Sequence, residues 1–128
     1  MTNRNIMVVD DEPLINESFG EAFTEAGYTV FTASSAEEAL EIIKKNRLLV
    51  FFLDLNLPGM NGVDLCRAIR KESPMAICHA VTGYATLFEL VECREAGFED
   101  YFIKPVRTQA LIDAAAHAFR KLERWCKW

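Results

Sequence analysis

Apolar residues fall into five short blocks along the chain, at residues 6–9, 29–31, 48–53, 77–81 and 101–103. Several blocks are continuously apolar rather than alternating, the pattern of strands in a sheet covered on both faces. Between the blocks the apolar period changes from two to three and four. Behind Pro13, Ile15, Phe19, Ala22 and Ala26 form one helical stripe, and Gly27 supplies a left-handed stop. Ser35 with Glu38 three residues on predicts a capping box ahead of Ala36, Ala39, Leu40 and Ile43. A third helix from about Val63 turns Leu65, Cys66 and Ile69 inward and stops near Pro74, because the residue before a proline avoids the helical region. A fourth helix carries Leu87, Leu90 and Val91 and ends at Gly97. The last, from about Thr108, aligns Leu111, Ala115, Ala118, Leu122 and Trp125. Strict strand–helix alternation with such short linkers requires parallel strands and right-handed crossovers. The fold class is therefore α/β, a single (βα)5 doubly wound sheet occupying residues 1–128 as one domain.

Composition narrows the function classes. With 128 residues, 51% hydrophobic and 26% charged, the chain can bury one core and not two. The longest apolar run, 48–53, is far below the ~20 residues that cross a bilayer, and no secretory signal pattern precedes it. A cytoplasmic protein without membrane contact is the expectation. Fourteen Lys and Arg against nineteen Asp and Glu leave a net charge of -5, which repels a phosphate backbone and argues against direct nucleic-acid binding. Cys66, Cys78, Cys93 and Cys126 form no C-x-x-C pair and read as reduced, buried thiols. Arg120, Lys121, Arg124 and Lys127 complement the negative end of the last helix.

In a doubly wound sheet the functional crevice lies beyond the carboxyl ends of the strands. Those ends hold Asp10 and Asp11, Asp54, Thr82 and Lys104. Singly, an acidic pair after a strand is an ordinary helix cap, a strand-end Thr an ordinary backbone partner and a Lys-Pro an ordinary loop. Together at one sheet edge they are not ordinary. Two unit charges ~4 Å apart interact by about 4 kcal/mol at an effective dielectric of 20, so three carboxylates there require a compensating cation. Oxygen-only donors favour a hard ion such as magnesium, and Lys104 adds a point charge suited to phosphate oxygens.

The stretches V-V-D-D-E-P (8–13), D-L-N-L-P-G-M-N-G (54–62), T-G-Y-A (82–85) and Y-F-I-K-P (101–105) together resemble the receiver domain of bacterial two-component response regulators. The resemblance spans essentially the whole chain. It implies a flavodoxin-like strand order of 2-1-3-4-5, the order the CheY member of the family illustrates. It implies that Asp54 accepts a phosphoryl group from a histidine kinase or histidine phosphotransfer protein. Asp11, Asp54 and the Asn56 carbonyl would hold Mg2+, with Asp10 acting through a metal-bound water and Lys104 and Thr82 engaging the phosphoryl group. Thr82 and Tyr101 would form the switch that alters the surface of helix four, strand five and helix five. The domain would then signal to a downstream protein or output domain, with a homodimer as one arrangement, assisting its own phosphoryl transfer without being an enzyme for an external substrate. It would be a stand-alone receiver or a piece of a longer regulator.

His79 departs from the aliphatic pattern of strand four and reads as a hydrogen-bonded core histidine. Gly83 stands where alanine is usual, and His117 reads as surface. Tyr84 and Asn56 flank the site where such domains tune dephosphorylation, and the two terminal Trp residues suggest packing or a continuing helix. Two alternatives remain at this stage. An aspartate-type phosphatase would show D-x-D, but the second position here is Asn56, and a cap domain would not fit. A receiver that binds proteins without phosphorylation would lack site residues that are present here.

Overall fold

The computed structural model describes residues 3–84 and 86–125. The elements follow in the order β1 (Asn5–Val9), α1 (Pro13–Glu25), β2 (Thr29–Ala33), α2 (Ala36–Lys45), β3 (Val50–Leu53), α3 (Gly62–Glu72), β4 (Ile77–Thr82), α4 (Leu87–Ala96), β5 (Asp100–Ile103) and α5 (Thr108–Trp125). All five strands are parallel, in the order β2-β1-β3-β4-β5, as expected. The chain therefore winds outward in both directions from β1 and β3, which lie side by side at the centre.

Alternating strand residues feed two cores. Met7, Val9, Phe51, Leu53, Cys78 and Ala80 pack under α2, α3 and α4, together with Ala36, Ala39, Leu65, Cys66 and Cys93. Ile6, Val8, Val50, Phe52, Ile77 and Val81 pack under α1 and α5, against Phe19, Phe23, Leu111, Ala115 and Leu122. β3 is buried at every position because both faces are covered. His79 is buried in the second layer. Its Nδ1 lies 3.0 Å from the Phe51 carbonyl oxygen and its ring stacks on Phe52 at 4.4 Å, which satisfies the core histidine as the sequence suggested. Burial pushes its pKa below the ordinary value.

The local signals behave largely as read. Pro13 opens α1, and Gly27 and Gly97 adopt left-handed conformations after α1 and α4. Ser35 caps α2 through the Glu38 N–H, but the Glu38 carboxylate accepts from the Ser34 N–H rather than from Ser35, so the box is shifted by one residue. The complete capping box belongs to α4, where Thr86 and Glu89 bond each other's backbone reciprocally. Leu48 and Leu49 lie before β3 rather than within it.

Two readings of helix faces are corrected. Leu87 and Val91 of α4 point outward, at 79% and 50% exposure, and the helix instead buries the small Cys93 and Ala96. Small residues let α4 lie close to α3, where the Cys66 thiol donates to the Ala96 carbonyl at 3.6 Å. Trp125 is 60% exposed rather than part of the α5 stripe. Cys66, Cys78 and Cys93 are buried free thiols, and His117 is exposed. Ala85, Cys126, Lys127 and Trp128 lie outside the described residues.

Candidate functional site

The carboxyl edge of the sheet gathers the predicted residues. Asp10 follows β1, Asp54 follows β3, Thr82 ends β4 and Lys104 follows β5. Backbone bonds continue each strand past its regular end: Asp10 N–H donates to the Ala33 carbonyl, Asp54 N–H to the Val9 carbonyl at 2.9 Å, and Lys104 N–H to the Thr82 carbonyl at 2.8 Å. These bonds hold the carboxylate-bearing residues in register with the rigid sheet rather than on free loops.

One oxygen from each of Asp10, Asp11 and Asp54 falls within 4.8 Å of the others. Asp10 and Asp54 are buried and Asp11 is exposed, so the cluster opens to solvent on the Asp11 side. Lys104 Nζ reaches Asp10 Oδ2 at 2.7 Å, Asp54 Oδ2 at 3.6 Å and Glu12 Oε1 at 3.9 Å. One ammonium thus faces three carboxylates. Burial raises the Asp54 pKa above its ordinary value. The Asn56 N–H and Lys104 oppose that shift, and the charges of Asp10 and Asp11 reinforce it. For Lys104 burial pulls the other way, but the Asp10 hydrogen bond and the surrounding carboxylates outweigh it and the pKa rises. A crowded, oxygen-only donor set with excess negative charge fits a hard divalent cation.

The surrounding backbone shapes this arrangement. Asp10 Oδ1 accepts from the Glu12 N–H at 2.9 Å, and Asp54 Oδ1 accepts from the Asn56 N–H at 3.2 Å, so the chain folds back over each carboxylate. Thr82 is fully buried. Its hydroxyl donates to the Tyr84 carbonyl at 3.2 Å and accepts from Asn56 Nδ2 at 3.3 Å, linking it to the loop that carries Asp54. Tyr101 sits apart, paired across the strands with Ala80 and 45% exposed. The Lys104–Pro105 peptide is cis.

Three contributors were not singled out in the sequence. Asn16 Nδ2 donates to the carbonyls of Asp10 and Ala33, pinning the β1 exit to β2; its partners are backbone atoms, which leave no sequence signal. Glu12 joins the Lys104 cluster, though its place in V-V-D-D-E-P could have flagged it. Gly62, read only as part of a turn, packs directly on the Asp54 backbone: a Cβ there would lie 2.1 Å from the Asp54 carbonyl oxygen.

Residues 6–116 match the family model described as the response regulator receiver domain. The chain belongs to that family. Among curated relatives it is 31% identical over 114 residues to sporulation initiation phosphotransferase F of Bacillus subtilis, covering 89% of this chain and 92% of that protein. It is 34% identical over 108 residues to the TorCAD operon transcriptional regulatory protein TorR of Escherichia coli K12, covering 84% of this chain and 46% of the relative. Against several other curated relatives, too, the receiver spans only about a quarter to half of their length. A receiver domain protein (CheY-like) from Methanospirillum hungatei superposes with a TM-score of 0.92 at 30% identity, covering 96% of this chain and 98% of that one. The BeF3-activated DrrB receiver domain superposes with a TM-score of 0.85 at 26% identity, covering 93% and 99%. The chain is thus a receiver domain of the two-component response-regulator type, consistent with a phosphorylation-dependent switch, and the phosphatase and unphosphorylated alternatives are not favoured. Among the described residues no helix is long and apolar enough to cross a membrane.

Proposed function

We propose that Asp54 is the phosphoacceptor of this receiver and that residues 1–128 act as one regulatory domain. The observation that carries the assignment is the convergence of Asp10, Asp11 and Asp54 on one another, with the Lys104 ammonium against Asp10 and Asp54 and with Asp54 at the end of the fully buried central strand. Asp10, Asp11, Asp54 and the Asn56 main-chain carbonyl would hold Mg2+. Bound there, the ion neutralises the phosphoryl oxygens and lets an anionic donor approach a cluster of acids.

The chain's own residues supply the rest. An ionised Asp54 oxygen attacks the phosphorus of a phosphohistidine on a histidine kinase or histidine phosphotransfer protein. The P–O bond forms as the P–N bond breaks, and the imidazole nitrogen leaves with the electron pair. No general base is needed, because the nucleophile is already a carboxylate. Lys104 moves its charge from Asp10 and Asp54 onto the phosphoryl oxygens. Thr82 exchanges its bond to the Tyr84 carbonyl for one to a phosphoryl oxygen, and Tyr101 turns toward the space beside Ala80. The face that responds is α4, β5 and α5, where Tyr84, Leu87, Phe88, Val91, Tyr101 and Ile103 are exposed. That patch suits a downstream protein, an output domain or a second receiver. The domain assists its own phosphoryl transfer and hydrolysis in the cytoplasm.

Incubation with magnesium and a small acyl phosphate, followed by intact-mass measurement, tests the assignment. Wild type should gain one phosphoryl group and Asp54→Asn none. Uptake by the Asn variant, or by neither folded protein, would overturn it.

A further inference from the structure

The core layer under α3 and α4 holds three thiols that the phosphoryl chemistry does not use. Cys66 of α3, Cys78 of β4 and Cys93 of α4 are all free and buried. Cys66 and Cys78 are shut off from solvent completely and touch each other: the Cys78 thiol hydrogen-bonds the Cys66 sulfur, and the Cys66 thiol donates to the Ala96 carbonyl at 3.6 Å. A line of thiol contacts therefore runs from β4 through α3 to the last residue of α4.

The thiols are chemically unequal. The Cys78 hydrogen bond, helped by the guanidiniums of Arg70 and Arg67, lowers the Cys66 pKa although burial opposes it. The same hydrogen bond, reinforced by burial, raises that of Cys78, and burial pushes Cys93 up to about 11. Arg70 is fixed in place, because it donates to the Ala76 carbonyl just before β4 and packs against Gly97 at the end of α4. One thiol is thus activated, with a second at its side to resolve it. Access is governed by α4, which lies over Cys66 through Ala96 and buries only Cys93 and Ala96. A helix held by so little apolar area opens locally at low cost, and a small oxidant enters.

We propose that Cys66 and Cys78 form a reversible disulfide on exposure to hydrogen peroxide, and that this bond loosens α4. The Cys66 thiolate attacks one peroxide oxygen as the O–O bond breaks, giving a sulfenic acid and a hydroxide that takes up the proton Cys66 released. The Cys78 sulfur then attacks the Cys66 sulfur, and the sulfenic oxygen leaves as water with the Cys78 proton. Two thiols and one peroxide become one disulfide and two waters. The sulfurs must close by about 2 Å from hydrogen-bond contact, a movement supplied by rotation of two short side chains as α4 opens. Once bonded, Cys66 has no hydrogen left for the Ala96 carbonyl, so α4 loses the thiol contact at its C-terminal end. In a reducing compartment such a bond is transient, which suits a signal rather than a structural link. No step involves Asp54, so the disulfide gives the α4 surface an input separate from phosphorylation.

The test takes the full chain with Cys126→Ser, treats it with hydrogen peroxide while folded, then unfolds and alkylates it for intact-mass measurement. Three thiols should alkylate before oxidation and one after it. A non-reducing digest should contain a peptide linked through Cys66 and Cys78, and dithiothreitol should restore all three thiols. Cys93→Ala should still form the bond, whereas Cys66→Ala and Cys78→Ala should not; if either of those fails to fold, the digest of the chain with both cysteines intact decides. Hydrogen exchange of α4 should quicken at least about tenfold in the oxidised protein and recover on reduction. The proposal is overturned by three alkylated thiols after oxidation, by a bridge to Cys93 or to a second chain, or by Cys66 alone carried to sulfinic or sulfonic acid. It is also overturned by a bond that forms only when urea unfolds the chain, or by one that leaves α4 exchange unchanged.

Discussion

Replacing Gly62 with alanine should damage both the fold and the proposed phosphoacceptor, for one steric reason. The added Cβ would lie 2.1 Å from the Asp54 carbonyl oxygen, 2.9 Å from its carbonyl carbon and 2.8 Å from Leu55 Cα, all main-chain atoms. None can rotate away, so α3 and the β3 exit must separate by roughly 1 Å to restore van der Waals contact. Gly62 N–H also donates to the Leu55 carbonyl at 3.0 Å, and that bond would stretch with the shift. Overpacking of this kind costs about 1–3 kcal/mol, and for a domain of this size each kcal/mol lowers Tm by roughly 3–5 °C. A fall of about 3–15 °C is expected. The same displacement carries Asp54 away from Lys104 and Asp11, and a misplacement of about 1 Å at a reacting group costs on the order of 100-fold in rate. Gly83→Ala is the matched control. It has no atom within 4 Å of the new Cβ and no left-handed φ, and should gain about 0.4–1 kcal/mol by restricting the unfolded chain. Thermal melts and phosphoryl uptake followed by intact mass compare the two. If Gly62→Ala melts within a degree or two of wild type and phosphorylates at the same rate, the contact does not constrain Asp54 and the reasoning fails.

Lys104→Ala leaves the buried Asp10 without its 2.7 Å partner, and urea denaturation in chelator should show a loss of about 2–4 kcal/mol that magnesium partly restores. His79 has a folded-state pKa below its unfolded value near 6.5. Below that pH the unfolded chain binds the extra proton, and stability should fall as pH drops from 7 to 5.5. Melting curves of His79→Phe, which keeps the stack on Phe52, should show a shallower decline over the same interval. Hydrogen exchange should find α4 less protected than α3 and α5, because it buries two residues where they each bury five; equal protection of α3 and α4 would count against its role as the mobile element.

The architecture was legible because its signals are local. Apolar blocks, Pro13, Gly27, Ser35 and Pro74 each act within a few residues, and alternation then leaves one topology to choose. The acid and lysine positions were legible because parallel strands must present their ends at one edge. The orientation of α4 was not, since Leu87, Phe88, Leu90 and Val91 scatter around the helix while Cys93 and Ala96 face inward. Side-chain size suggests the wrong face there: the interior position requires close approach to α3, which small residues permit. Asn16 and Gly62 act through backbone atoms distant in sequence, so their roles become visible only when β1, β2, β3 and α3 are assembled.

The weak attachment of α4 bears on how the proposed switch divides its work. Thr86 and Glu89 cap the helix completely, so it stays intact as a unit while little apolar area holds it to the sheet. Its tether to the site is the short segment from Thr82, whose hydroxyl holds the Tyr84 carbonyl two residues before that cap. Moving the hydroxyl to a phosphoryl oxygen would release that carbonyl and gain a hydrogen bond to a charged group, worth about 1.5–3 kcal/mol. Shifting a two-state equilibrium from 1:99 to 99:1 requires about 5.5 kcal/mol. The Thr82 bond therefore supplies at most about half of a complete shift. The remainder has to come from Lys104 leaving Asp10 for the phosphoryl group and from Tyr101 giving up its half-exposed position for contact beside Ala80. On this reasoning Thr82→Ala leaves a receiver that is phosphorylated but only partly switched, whereas loss of Lys104 uncouples phosphorylation from the α4–β5 surface more completely.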